Sequence, residues 1–200
     1  MKLGPKYKIA RRLGAPIFEK TQTQKFKMRA GEKSTKKPMT KSEFARQMIE
    51  KQKARFTYGI SEKQFSRYVK DVIESGSHTP SLKVFEALET RLDNVVFRLG
   101  LASTRRFARQ IVSHGHITVN GQKVTIPSYV VRPGDQLAVR EGSKTKTVFK
   151  ELDAKMKDTQ TPVWLTWNTD KKQASVLRLP SIDGVDLLFD LGAVLEFYKR

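Results

Sequence analysis

The two residues Asn120-Gly121, set between two short β-prone runs, constrain the fold more than any other part of the chain. Ile117-Thr118-Val119 precedes them and Gln122-Lys123-Val124 follows. Asn-Gly is typical of a type I′ turn, because both residues tolerate the positive φ angles that this turn requires. The sequence therefore predicts a tight β-hairpin here, and the alternation from Gln136 to Arg140 predicts a further strand.

Two helices are predicted before the hairpin. Apolar residues recur in steps of three and four over residues 82–99, which predicts one amphipathic helix that ends at Gly100. A second helix is predicted over residues 104–113, with Ser103 or Thr104 as its N-cap. The pattern over residues 91–141 thus predicts a compact pair of helices that carries a β-ribbon.

The second of these helices carries Arg105, Arg106 and Arg109 on its outer face. Like charges one turn apart repel each other, so a plain solvated surface is one interpretation. Arginine, however, presents a planar fork of donors that suits phosphate oxygens, and we favour a phosphate-binding face. The polar residues predicted to complete this face are Arg91, Arg98, Ser113, His114 and Asn120.

The same region contains residue types that can perform catalysis or bind metals. We interpret Asp93 and Asn94 as ion-pair and hydrogen-bonding partners of neighbouring arginines rather than as catalytic groups. His114 and His116 flank a turn in a spacing that is poor for metal binding, and the chain has no cysteine. No phosphate-binding glycine loop or hydrolase motif is present. The sequence predicts no enzyme activity, cofactor or metal site.

The charge balance predicts the class of partner. The chain has 39 Lys and Arg against 20 Asp and Glu, a net charge of +19. A field of this size implies a polyanion. Nucleic acid is favoured over a membrane surface, because no basic helix carries a broad apolar face and no apolar run approaches the roughly 20 residues of a membrane span. We expect neither a membrane nor a small-molecule substrate as partner.

Residues 1–40 are strongly basic and contain few large apolar residues. One interpretation is a segment that folds only on its RNA partner, and the alternative is a flexible solubilising tail. Tyr7 and Phe26 lie among the basic residues, as in many RNA-contacting segments, which favours the first interpretation. The N-terminal residues predicted to contact RNA are Lys2, Lys6, Lys8, Arg11 and Arg12.

Helix-start signals at Thr40–Glu43 and Ser61–Gln64 predict two helices in an N-terminal helical domain over residues 41–90. A C-terminal extension over residues 142–191 is predicted to contain two strands, 163–167 and 174–179. Its two tryptophans are interpreted as sheet packing rather than as platforms for base stacking.

The C-terminal part of the chain also carries acidic residues among apolar ones. Acidic groups repel RNA, so we expect them to face another protein or the chain's own basic N-terminal region. These residues are Asp183, Asp186 and Asp190.

Two stretches carry a resemblance to a known family. R-L-D-N-V-V-F-R-L-G over residues 91–100 and T-R-R-F-A-R-Q-I-V-S-H-G-H-I-T-V-N-G over residues 104–121 resemble the RNA-binding module named after small-subunit ribosomal protein S-four. Nearly the whole chain resembles that family in its bacterial or organellar form. The resemblance implies an α+β fold whose last residues, 192–200, pack back on the helical domain. Some members bind zinc through an N-terminal cysteine cluster, which this sequence lacks.

The resemblance also implies a function. It points to a structural constituent of the small ribosomal subunit that binds the 5′ domain of the subunit's rRNA, nucleates assembly and supports decoding accuracy through ribosomal protein S-five. Lys36 and Lys37 match family positions beside the channel where messenger RNA enters. The expected location is the cytoplasmic small subunit, with an organellar ribosome as alternative. Two other functions remain open: an RNA-modifying enzyme such as a pseudouridine synthase, and a free-standing module that acts on stalled ribosomes.

Overall fold

The computed structural model describes residues 3–24, 26, 42–146, 149, 161–168 and 171–199. The chain divides into two compact units. The helical unit comprises Met1–Val84 and Asp183–Arg200, and the mixed unit comprises Phe85–Ile182. Across the described ranges, none of the helices is both long enough and apolar enough to cross a membrane.

The described helices and strands together form the α+β fold that the sequence predicts. The helices are α1 (Lys6–Leu13), α2 (Glu43–Tyr58), α3 (Glu62–Glu74), α4 (Pro80–Glu89), α5 (Leu92–Arg98), α6 (Arg105–Ser113), α7 (Glu141–Lys144) and α8 (Leu191–Lys199). The strands are β1 (Ile117–Val119), β2 (Gln122–Val124), β3 (Gln136–Val139), β4 (Leu165–Asn168) and β5 (Gln173–Val176).

In the helical unit, side-chain caps define where α2 and α3 begin. Ser42 accepts a hydrogen bond from the backbone N–H of Ala45 at 3.3 Å, so α2 starts two residues later than a cap at Thr40 would place it. Ser61 caps α3 through the N–H of Gln64, as predicted. Each cap satisfies a backbone donor that the first helical turn leaves unpaired.

Helix α8 packs against α2 and α3. It buries Leu191, Val194 and Leu195. At its end the Tyr198 hydroxyl donates a hydrogen bond of 2.7 Å to Glu62, which also accepts one of 2.8 Å from the Lys51 ammonium. The last turn of the chain is therefore held by polar contacts as well as by apolar burial.

The N-terminal segment forms α1 and a short 3₁₀ turn at Glu19–Thr21. Leu13, Ile17 and Phe18 are buried in an apolar cluster against which Ile49 and Phe56 of α2 pack. Tyr7, which lies among the basic residues of this segment, is 45% exposed. Apart from Phe26, the prediction for residues 25–40 falls outside the described part of the chain.

In the mixed unit, the single helix predicted up to Gly100 is wrong, because the chain breaks into α4 and α5 at Thr90-Arg91. Arg91 is extended and bridges to Val130, and the backbone N–H of Leu92 donates to the Tyr129 carbonyl at 2.8 Å. Pairing with this distant backbone satisfies the groups that a continuous helix would have paired internally.

The sheet of the mixed unit is antiparallel, with the strand order β2-β1-β3-β5-β4. Asn120 and Gly121 have φ angles of 51° and 80°, which confirms the predicted hairpin. The strands β4 and β5, predicted as part of a separate extension, join the far edge of β3. Trp164 is buried in the same core as Leu137 and Val139, which confirms its interpretation as sheet packing.

Candidate nucleic-acid interface

Helix α6 is short and sharply bounded, which fixes where its arginines lie. The Thr104 side chain caps its start by accepting from the Phe107 N–H at 3.1 Å. At its end Gly115 has a φ angle of 68°, and the N–H groups of Gly115 and His116 return to the carbonyls of Val112 and Ile111. This pair of hydrogen bonds is a Schellman motif, which satisfies carbonyls that the helix end leaves open.

Asp93 at the start of α5 joins two arginines. Its carboxylate accepts from Arg91 Nε at 3.0 Å and Nη2 at 2.8 Å, and from Arg109 Nε at 2.8 Å and Nη2 at 2.7 Å. The Asp93 side chain is 2% exposed, whereas that of Arg109 is 29% exposed. The acid therefore lies beneath Arg109 and orients its guanidinium from the protein side.

Arg91 does not reach the surface, since only 2% of the residue is exposed. The prediction that it contacts RNA is therefore corrected. A buried charge is tolerated when it is paired and hydrogen-bonded, and Arg91 meets that condition through its two bonds to Asp93. Its role is to fix Asp93, and through Asp93 to position Arg109.

A second set of contacts holds Arg98 and Arg105. Glu89 accepts from Arg98 Nε at 2.9 Å and Nη2 at 2.8 Å, and from Asn94 Nδ2 at 2.9 Å. The other side of the Asn94 amide accepts from Arg105 Nε at 2.8 Å. The Arg105 guanidinium also stacks over the Phe97 ring at 4.3 Å. Asp93 and Asn94 thus serve as the ion-pair and hydrogen-bonding partners that the sequence predicts.

These residues form what we call the arginine cluster: Arg91, Arg98, Arg105 and Arg109 with Glu89, Asp93 and Asn94. Four arginines against two carboxylates give the cluster a net positive charge. Both carboxylates are nearly inaccessible to solvent, while Arg98 and Arg109 are each 29% exposed. Buried carboxylates offset the repulsion between the arginines, and the surface that remains presents guanidinium edges in fixed orientations.

Three further predicted residues, Arg106, Ser113 and His114, are exposed on or beside α6. The sequence reasoning missed one cation beside them, Lys123. The end of its side chain passes over Gly115, where it occupies the space that a Cβ on that glycine would fill. The hairpin register, which pairs Lys123 with Thr118, is the signal that could have placed it beside the end of α6.

His116 turns toward the protein interior. Its ring nitrogen Nδ1 lies 2.9 Å from the Ser143 hydroxyl, and its ring contacts Phe149 edge to face at 5.9 Å. Burial lowers the pKa of His116, and the positive charges of Lys146 and Arg140 lower it further. Among the described residues no group of His, Asp and Glu is arranged to hold a metal ion.

Asn120 is exposed at the tip of the hairpin, where its side chain also holds the turn. Its Nδ2 donates to Asp135 Oδ1 at 2.8 Å, and its Oδ1 accepts from the Gln136 N–H at 2.9 Å. These bonds tie the turn to the beginning of β3. The side chain is exposed and its amide has a further N–H and a further lone pair, so the RNA contact at Asn120 stays a prediction.

At the N-terminus, Lys8, Arg11 and Arg12 are exposed on α1, while Lys6 folds over the Phe18 ring at 5.5 Å. The remaining predicted cations, Lys2, Lys36 and Lys37, lie outside the described residues.

The acidic residues near the C-terminus separate into two kinds. Asp183 and Asp186 are exposed, as an interface would require. Asp190 caps the start of α8 by accepting from the N–H of Gly192 at 2.8 Å and from that of Ala193 at 3.3 Å. The structure gives Asp190 a role in the fold that the prediction of a protein interface did not include.

Comparison with known proteins places this geometry in context. Residues 2–89 match the family model of the ribosomal protein S4/S9 N-terminal domain, and residues 90–137 match that of the S4 domain. The chain is 43% identical over 204 residues to small ribosomal subunit protein uS4 of Ligilactobacillus salivarius, which covers 98% of both chains. It is 43% identical over 200 residues to uS4 of Flavobacterium psychrophilum, again with 98% of both covered. The uS4 protein of Pelotomaculum thermopropionicum is 45% identical over 162 residues, covering 80% of this chain and 76% of that protein.

Proposed function

Since this chain belongs to the family of small ribosomal subunit protein uS4, we propose that it is a structural, non-catalytic constituent of the small ribosomal subunit that binds the subunit's rRNA. The observation that carries the proposal is the arginine cluster. It leaves the side chains of Arg98 and Arg109 partly exposed while the carboxylates that hold them are buried. That arrangement suits phosphate oxygens and disfavours a cationic or apolar ligand.

The proposal includes a mode of RNA recognition. The grooves of A-form RNA are poorly read by side chains, so recognition rests on the shape of the phosphate backbone. Guanidinium groups held at fixed separations can match phosphates at a fixed separation, such as those that face each other at a helical junction. Arg98, Arg105 and Arg109 provide the fixed contacts in this proposal. Flexible contacts at the margin come from Arg106, Ser113, His114 and Lys123.

The basic N-terminal segment provides a second contact in this proposal, through Lys8, Arg11 and Arg12 on α1, with Lys2 and Lys6. We assign residues 91–141 as the principal RNA-binding module and residues 41–90 as a helical domain that supports it, with residues 142–191 as the extension. The pairing of β5 with β3, and of β4 with β5, supports treating the extension and the module as one body.

Finer roles follow the family resemblance. We propose binding to the 5′ domain of the small-subunit rRNA, early docking that nucleates assembly, and support of decoding accuracy. Asp183 and Asp186 are proposed to contact a neighbouring protein, with ribosomal protein S-five as the implied partner. Lys36 and Lys37 are proposed to lie where messenger RNA enters. The proposed location is the cytoplasmic small subunit, with an organellar ribosome as the alternative.

The proposal is tested by removing two members of the cluster in the full-length protein. Arg105→Ala/Arg109→Ala should weaken binding to a 5′-domain rRNA fragment and lower the slope of log affinity against log salt by about 0.7–0.9 for each phosphate that is no longer neutralised. Lys63→Ala/Arg67→Ala, on α3 of the helical unit, removes the same charge from residues outside the cluster and should leave the slope near that of the wild type. Equal slopes for the two double variants would remove the cluster from the RNA interface. Absence of the wild-type protein from purified small subunits would overturn the ribosomal role itself.

A further inference from the structure

Helix α1 presents an aromatic ring on its basic surface. Ala10 and Leu13 are buried, whereas Tyr7, Lys8, Arg11 and Arg12 are exposed. At 3.6 residues per turn, these four exposed side chains occupy one arc of about 140° around the helix. We call this arc the basic face of α1. Tyr7 is 45% exposed at one margin of the arc, and Arg11 lies one turn further along the helix.

The Tyr7 ring is held in place from behind. Its centroid lies 5.9 Å from that of Phe26, with the two planes inclined by 38°. Phe26 is itself half-buried against the apolar cluster of Leu13, Ile17 and Phe18. One side of the tyrosine is therefore packed, and much of the rest faces solvent. An oriented aromatic surface loses little conformational freedom when a flat ligand covers it.

A single exposed aromatic residue is ordinary on a protein surface. Tyr7 differs because a fixed ring and three exposed cations share one helix face. Proteins that bind unpaired nucleotides combine these two elements, since bases stack on the ring while cations follow the backbone phosphates. An acidic peptide would use the cations, but it would have no need of the ring. A double-stranded RNA helix would offer phosphates but no unpaired base to cover the ring.

We propose that the basic face of α1 binds an unpaired nucleotide of the RNA, with its base stacked on Tyr7 and its flanking phosphates contacted by Lys8, Arg11 and Arg12. This inference rests on the proposed function and deepens it. The two surfaces would then bind different parts of the RNA. The arginine cluster would recognise the backbone shape of paired RNA, and α1 would bind an unstacked base.

The test uses the full chain and two labelled RNAs, a single-stranded oligonucleotide that contains 2-aminopurine and a duplex of the same sequence. Tyr7→Leu keeps an apolar side chain but removes the ring, and Tyr7→Phe keeps the ring. We expect Tyr7→Leu to weaken single-strand binding about tenfold and duplex binding less than twofold, with an unchanged salt slope. Tyr7→Phe should bind like the wild type. Wild type and Tyr7→Phe should quench the 2-aminopurine fluorescence, whereas Tyr7→Leu should not.

Tyr129→Leu is the matched control, because Tyr129 is 36% exposed but lies in the mixed unit. It should leave single-strand affinity within twofold of the wild type. Far-UV circular dichroism and thermal unfolding should show that all variants are folded. If Tyr7→Leu binds both RNAs like the wild type, or weakens both equally, the stacking proposal is wrong. If Tyr7→Leu instead reduces assembly into small subunits without changing RNA affinity, the face binds a protein and the proposal is likewise overturned.

These outcomes are separable from the test of the proposed function. Suppose that Tyr7→Leu binds RNA like the wild type, while binding to the 5′-domain fragment still depends on the arginine cluster. That result would refute the stacking proposal alone. If the wild-type protein binds no RNA at low salt, both the stacking proposal and the proposed function are wrong.

Discussion

The arginine cluster and the basic face of α1 present positive charge in opposite ways. In the cluster, Arg91, Arg98 and Arg109 are fixed by carboxylates that are 1% and 2% exposed, at distances of 2.7–3.0 Å. On α1, Lys8, Arg11 and Arg12 are exposed, and none of them forms an ion pair within the described part of the chain. The first surface is ordered before a ligand arrives, whereas the second keeps its side-chain freedom.

The difference indicates what each surface can recognise. A side chain that is already fixed loses little rotamer entropy on binding, but it can satisfy only phosphates that match its position. A free lysine or arginine loses more entropy and can follow a backbone of variable shape. We infer that the cluster contributes specificity for a folded junction. The face of α1 contributes affinity for a segment whose conformation is less defined.

The largest effect is expected from breaking the support beneath the cluster. Asp93→Asn should lower the free energy of unfolding by about 3–5 kcal/mol, because it leaves the buried Arg91 without its compensating charge. Chemical denaturation monitored by circular dichroism measures the decrease.

Asp71→Asn supplies the control for this measurement. Asp71 also faces an arginine, Arg67, but the pair is 3.7 Å apart and its side chains are 60% and 82% exposed. Removing such a pair should change stability by less than about 1 kcal/mol. A small decrease for Asp93→Asn would show that Arg91 is not held by charge. Arg91→Met combined with Asp93→Asn should recover part of the stability if the two residues act as a pair.

The contrast also separates what local sequence could predict from what it could not. Asn120-Gly121 specified the hairpin, because only residues tolerant of positive φ fit a type I′ turn. Thr104 and Ser61 specified helix starts, because a cap bonds to a backbone N–H only a few residues away. The basic residues near the N-terminus were likewise visible in the sequence, but helix α1, which carries Lys8, Arg11 and Arg12, was not predicted.

The arginine cluster depends on contacts across larger separations. The break at Thr90-Arg91 requires backbone pairing with residues near Val130, and the apolar period continues through the break without a sign of it. The salt bridge between Glu89 and Arg98 exists because of that break, so a continuous helix does not predict it. The bonds of Asn120 to Asp135 and Gln136 likewise depend on how the turn meets β3. Residue types alone indicated a phosphate-binding face, but not which arginine is buried beneath it.

Lys51 is a second buried cation whose charge is balanced by a carboxylate, and it allows the comparison to be extended to acidic pH. The side chain of Lys51 is 10% exposed, bonds to Glu62 at 2.8 Å and lies 4.2 Å from the Phe197 ring centroid. Burial alone raises the pKa of Glu62. Hydrogen bonds from Lys51 and Tyr198, with the charges of Lys51 and Arg55, outweigh that effect and hold the pKa below its ordinary value of 4.5. The ionised carboxylate is therefore favoured in the folded chain.

Glu62→Gln should reduce stability at pH 7 by about 1.5 kcal/mol, because Lys51 loses its charged partner while water still screens the half-exposed Glu62 site. A lowered pKa contributes stability that is complete above the unfolded value and is lost as the pH falls through the folded value. The difference between variant and wild type should therefore shrink below about pH 4.5. Denaturation curves at pH 7 and pH 3 measure this difference.

Glu43→Gln, in an exposed pair with Arg46, should show little change at either pH. If Glu62→Gln were less stable than the wild type by the same amount at both pH values, the effect would come from packing rather than from charge.

The smallest and most discriminating prediction exchanges arginine for lysine on the two surfaces. Arg109→Lys keeps the charge but loses the planar fork, so it cannot hold Asp93 through two N–H groups and still present a guanidinium edge outward. We expect binding to the 5′-domain rRNA fragment to weaken about fivefold, which corresponds to about 1 kcal/mol. Arg12→Lys, on a surface without such geometry, should change affinity less than twofold. Neither substitution should alter the salt slope, because each keeps one positive charge near the phosphate. Equal weakening by the two variants would mean that the cluster works by charge alone, and its buried carboxylates would then serve the fold without shaping recognition.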